Sequence, residues 1–150
     1  MSRRTAVALA AGVVALGGAS AFAFAHGGDQ SPALAHTTAR YTAPDGDRAG
    51  SLTFATDATA SSGVKKVNVL PWPKSSSFAK MGLTAKDMAD ADQAVCKPAG
   101  GHTVHCTFSV KVTAADAASS PHGAWHMAVL VTAKDGTTTL DTKAADFSVR

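Results

Sequence analysis

The chain has 150 residues with 14 Lys+Arg against 11 Asp+Glu, and every one of those acids is Asp. Without Glu, neither a Glu-x-x-His site, a glutamate general base nor a calcium hand closed by a bidentate Glu can be built. A hydrophobic fraction of 45% and a mean hydropathy of +0.04 are too apolar for a disordered chain, so a globular domain is expected.

Arg3 and Arg4 precede an apolar run of small residues, Ala6 to Ala23, and Ala23-Phe24-Ala25 carries the small-x-small pattern of a signal-peptidase site. Residues 1–25 are expected to be a cleaved signal peptide, giving a secreted protein with no membrane segment after cleavage. Gly12, Gly17 and Gly18 weaken the run as a spanning helix, and no basic stop-transfer cluster follows. Cleavage leaves 12 basic against 11 acidic side chains and no basic run longer than Lys65-Lys66. That is not the footprint of a nucleic-acid binder.

Residues 26–36 hold two Gly and a Pro with little apolar periodicity, and read as a flexible N-terminal extension ahead of a single domain spanning 37–150. From there the apolar residues alternate in short runs broken by turn residues. Ala39 and Tyr41 share one strand face, Leu52 and Phe54 a second, Val67 and Val69 a third. Thr84-Ala85-Lys86-Asp87 has the form of a capping box and predicts one short helix to about Ala94. Val104, Cys106, Phe108, Val110 and Val112 alternate without a break, and Thr113 to Asp116 predicts a single capped turn after them. Trp125, Met127, Val129 and Val131 form the next strand with Trp125 in the core, and Asp135-Gly136 predicts a tight hairpin into a last strand, Leu140 to Val149. The fold class is all-β, an antiparallel sandwich.

Cys96 and Cys106, an even pair in an exported chain, predict a disulfide across a hairpin, with Gly100-Gly101 in the closed loop.

The stretch Gly123-Ala124-Trp125-His126-Met127-Ala128-Val129, then Lys134-Asp135-Gly136, then Phe147-Ser148-Val149, resembles the closing hairpin of many bacterial immunoglobulin-like domains. Together with Gly63 to Pro73, Leu83 to Asp90 and the two cysteines, residues 50–150 resemble a family of small secreted actinobacterial proteins of unknown function. That resemblance implies a secreted immunoglobulin-like β-sandwich and carries no catalytic residue across. A looser likeness, resting on no single motif, is to adaptor subunits of secreted umbrella-shaped toxin particles.

If cleavage follows Ala25, His26 becomes the mature N-terminus, and its amine and imidazole form the kind of copper chelate seen in lytic polysaccharide monooxygenases and in immunoglobulin-like periplasmic copper carriers. In the carriers the turn before the last strand supplies an Asp and a His; here Thr137 stands at the position of the His. His36, His102, His105, His122 and His126 are the remaining histidines a copper ion would have to draw on. Asp45-Gly46-Asp47 and Asp90-Ala91-Asp92 pair carboxylates in patterns equally suited to turns and solvated faces.

Pro71 and Pro73 hold Trp72 in extended backbone at a strand end or edge, where a protruding indole would anchor a partner. Ser62-x-x-Lys65 and Ser77-x-x-Lys80 lack the companion motifs of the penicillin-interacting enzymes, and no Gly-x-Ser-x-Gly occurs. The expectation is therefore a secreted, non-catalytic binding or adaptor module without cofactor, monomeric on its own. It would engage a secreted protein partner through the segment from His26 to His36 and through Pro71-Trp72-Pro73. The alternatives are an extracellular copper protein centred on His26 and a structural cell-wall component.

Overall fold

The structure, a computed structural model, describes residues 31–150; the expected leader and His26 lie outside the described residues. Strands β1 (Ala33–Thr42), β2 (Gly50–Thr59), β6 (Thr103–Val112) and β5 (Val95–Gly100) form one sheet in the order β1-β2-β6-β5. Strands β4 (Asp92–Gln93), β3 (Val64–Pro73), β7 (Gly123–Ala133) and β8 (Thr138–Val149) form the other in the order β4-β3-β7-β8. Lettered along the chain, these are ABED and C′CFG, the strand order of an immunoglobulin-like sandwich. Every pairing is antiparallel.

The period-two faces expected from the sequence meet between the sheets. Leu52 and Phe54 of β2, Val67 and Val69 of β3, and Met127, Val129 and Val131 of β7 are buried in one cluster with Cys106, Phe147 and Val149. Trp125 is half-buried at the end of this cluster, its ring 5.8 Å from that of Phe147 and its indole N–H donating to the Pro121 carbonyl. Cys96 and Cys106 stand directly opposite on β5 and β6 and form the disulfide. The bridge ties two neighbours within one sheet, whereas antibody domains link the two sheets.

Three expectations are corrected. The domain starts before residue 37: β1 begins at Ala33, and Leu34 is part of the core, so residues 33–36 do not belong to a flexible extension. A bulge between Ala35 and Thr38, with His36 at φ 52°, hides this in the sequence. It switches the inward positions from Leu34 to Thr37, Ala39 and Tyr41, which breaks the alternation. Thr37 is turned inward by the same bulge, and its hydroxyl bonds that of Thr56 at 2.8 Å.

Next, no helix runs from Thr84 to Ala94. The Thr84–Asp87 box does form, with the Thr84 N–H and hydroxyl both donating to the Asp87 carboxylate. Beyond it the chain makes a succession of four-residue β-turns, because Met88 is drawn fully into a core below and the Ala94 N–H is taken by the Val67 carbonyl at the sheet. The two helices are instead α1 (Phe78–Met81), a single turn without a side-chain cap, and α2 (Ala114–Ser119), capped as expected by the Thr113–Asp116 box. Last, the β7–β8 hairpin closes through a three-residue loop in which only Gly136 has positive φ, at 89°. The Gly136 N–H bonds the Ala133 carbonyl, and the Ala133 N–H bonds that of Thr137.

The feature that positions the site is a third layer. The outward-facing residues of β3 and β7 include Trp72, Ala128 and Leu130, and residues 74–91 fold back over them. Met88 and Leu83 from this cover are buried against that face, with Phe78 and Leu140 packed at its margin. Asn68 of β3 pins the far end of the cover by donating to the Ala91 carbonyl at 3.1 Å.

Candidate functional site

Three neighbouring strands place three side chains in one row across the outer face of the C′CFG sheet. Trp72 on β3 is directly opposite His126 on β7, and His126 is directly opposite Asp146 on β8. The indole and imidazole centroids are 4.7 Å apart. Asp146 hydrogen-bonds Nδ1 of His126, and Lys74 Nζ stands 3.7 Å from the other carboxylate oxygen. The Trp72 indole N–H donates to the Thr142 carbonyl at 2.9 Å.

Each position has a local cause. Just past β3 the Lys74 N–H faces β7, bonding the Ala124 carbonyl, while within β3 the Val67 carbonyl faces β4, accepting from the Ala94 N–H. Alternation then points the backbone of residues 71 and 73 away from β7, on the side where β4 has already ended, since β4 pairs only with Asn68 and Val69. The missing N–H groups of Pro71 and Pro73 therefore cost no ladder bond, and the chain stays extended long enough to present Trp72.

The cover does not seal this row. Between α1, Gly82, Leu83 and the sheet lies an open recess of about 370 Å³. Trp72, Phe78 and Leu83 form its apolar walls, and His126, Lys74 and Lys143 its polar edge. His126 is only 7% exposed, yet among the described residues its Nε2 has no hydrogen-bond partner. A carboxylate can only accept, so Nδ1 carries a proton, and in the neutral form of the ring Nε2 is then an acceptor at the recess.

This arrangement corrects the expectation for Pro71-Trp72-Pro73. Trp72 is 4% exposed and forms a wall under the cover rather than a protruding anchor. Pro71 and Pro73, both half-buried, sit on the opposite face of β3 from it, so the three residues make no single patch. Pro71 instead borders a different cleft at the end of the sandwich, about 290 Å³, with Tyr41, Val110 and Trp125. A larger depression, about 720 Å³, is lined from both sheets, by Thr38, Arg40, Thr53 and Phe108 on one and by Ala145 and Asp146 of β8 on the other.

His36 is on the β1 bulge, where Nδ1 bonds one oxygen of Asp57 at 2.9 Å while His105 Nδ1 bonds the other at 2.7 Å. These bonds, that from His105 first, hold the Asp57 carboxyl below its ordinary value of 3.8. Among the described residues no group of three or more His, Cys, Asp or Glu is arranged to hold a metal ion. Asp45 and Arg48 close a turn through two backbone bonds, and Asp90 and Asp92 are exposed.

Sequence reasoning missed the pair formed by His126 and Asp146, offering His126 only as one of the histidines open to a copper ion. One legible signal was the unbroken apolar run Met127-Ala128-Val129-Leu130-Val131, which marks a strand covered on both faces and so requires a layer over the outer one.

Strand order, in-sheet disulfide and covered outer face together define an immunoglobulin-like module with an accessory third layer. Residues 34–131 match the family of unknown function DUF5707, and the chain belongs to that family. The match takes in Leu34, Trp72 and His126 and ends before Asp146. No curated protein and no solved structure matches the chain.

Proposed function

We propose that the protein is exported and acts as a non-catalytic binding or adaptor module for another extracellular protein. The observation that carries this reading is the open recess over Trp72, with apolar walls and a buried imidazole whose second nitrogen is unused. Small ligand sites are built this way, from apolar walls and a few placed polar groups. The formed Cys96–Cys106 bridge and the leader-like N-terminus support an oxidising compartment outside the cytoplasm.

The test is capture from the producing organism's culture supernatant, with the tag placed after Arg150 so that the mature N-terminus stays free. One secreted protein should co-purify in stoichiometric amount and be displaced by untagged protein. Recovery of the tagged protein alone, across growth phases, overturns the reading.

A further inference from the structure

We infer that the recess recognises a free carboxyl terminus: the last, apolar residue of a partner polypeptide. This rests on the binding-module reading and names the chemistry of its site. Three complementary groups must be met at once within about 370 Å³. With Nδ1 protonated against Asp146, Nε2 of the neutral His126 ring is an acceptor and calls for a donor. Trp72, Phe78 and Leu83 call for an apolar side chain. Lys74 and Lys143 at the rim call for an anion.

The two nearby carboxylates are already engaged. Asp146 is held by His126 and Lys74, and Asp141 accepts from the Lys143 backbone N–H at 2.9 Å. Lys143 has no ion pair among the described residues, and its ammonium is the rim cation left to meet an incoming carboxylate. A terminal residue supplies all three needs from adjacent atoms: its amide N–H for His126, its side chain for the aromatic walls and its carboxylate for the lysines. An internal residue lacks the charge, a metal ion lacks the apolar part, and a fatty acid lacks the donor.

The experiment is an NMR titration of the oxidised protein with acetyl-Gly-Ala-Leu as the free acid, the same peptide as its C-terminal amide, and N-acetyl-leucine. The acid should bind saturably and shift the Trp72 indole and His126 ring resonances, with the amide about tenfold weaker through loss of the charge-assisted contact. Lys74→Gln and Lys143→Gln change exposed side chains, so the fold should be kept; each should weaken the acid severalfold and leave the amide unchanged. Equal binding of acid and amide, shifts centred on Trp125 instead, or indifference to both lysine variants would overturn the inference. So would N-acetyl-leucine binding more tightly than the peptide, which would assign the recess to a small acyl amino acid.

The two proposals fail separately. A secreted partner whose capture survives saturating peptide acid sinks the carboxyl-terminus inference and leaves the adaptor reading. Peptide acid that binds as described, with no partner in the supernatant, does the reverse.

Discussion

Replacing Met88 by alanine isolates the third layer from the sandwich beneath it. Met88 is fully buried against Trp72, Leu83, Ala128 and Leu130, and it is the one fully buried side chain contributed by residues 74–91. Met→Ala in a core costs about 2–5 kcal/mol, depending on how far the surroundings collapse into the space. The cover is held by short four-residue turns and can settle inward, which puts the expected loss in the lower half, about 2–3 kcal/mol. For a domain of this size that corresponds to a Tm lower by roughly 8–12 °C.

Urea unfolding and calorimetry would measure the loss, with Met81→Ala as control, because Met81 is 73% exposed on the same segment and should shift stability by less than about 0.5 kcal/mol. Hydrogen exchange adds a second readout: the Ala89 and Ala91 amides, bonded only within the cover, should lose protection before Val129 in the central strand. A Met88→Ala loss below about 1 kcal/mol, or one equal to that of Met81→Ala, would refute the cover as a packed layer.

Leu34→Ala should cost about 2–4 kcal/mol in urea unfolding, since Leu34 is a core residue; a flexible extension would give no change. Cys96→Ser with Cys106→Ser should lower stability by about 3 kcal/mol without changing the strand content seen by circular dichroism, as expected for an 11-residue closed loop. Asp57→Asn should flatten part of the acid limb of stability. The lowered folded-state pKa contributes stability that is present above 3.8 and lost as pH falls through the folded value, so the variant and the parent should converge below that point. Only part of the limb should go, because Asp87, Asp116 and Asp135 are likewise lowered by their threonine partners. Identical acid profiles for Asp57→Asn and the parent would exclude the two histidine bonds as a contribution.

Legibility followed the local signals. The inward faces of β2, β3, β6 and β7 were readable because a half-buried strand alternates with period two, and the disulfide was readable because its two cysteines lie on adjacent strands of one hairpin. The start of β1 was not, because a bulge at His36 shifts the inward parity by one residue. The helix expected at Thr84 shows the opposite failure: its capping hydrogen bonds form as written, but the burial of Met88 and the bond from Ala94 to Val67 override helical propagation. A short helix gains little from its own backbone, so such tertiary contacts decide. The row of Trp72, His126 and Asp146 was invisible for a different reason. Its members are 54 and 20 residues apart and meet only through the registers of β3–β7 and β7–β8, which no local pattern encodes.

The chemistry at residue 126 bears on why the recess is open at all. The outer face of β7 is apolar at Ala128 and Leu130, and a leucine at 126 would extend that surface under the cover and bury it at a gain of roughly 2 kcal/mol. The chain instead holds an imidazole there, orients it with Asp146, and leaves one of its nitrogens without a partner at the recess. Burial alone favours the apolar residue, whereas recognition of a donor requires a fixed acceptor at the floor of an apolar site. Trp72 follows the same logic, since its indole N–H is satisfied internally by Thr142 and its ring is left to serve as a wall.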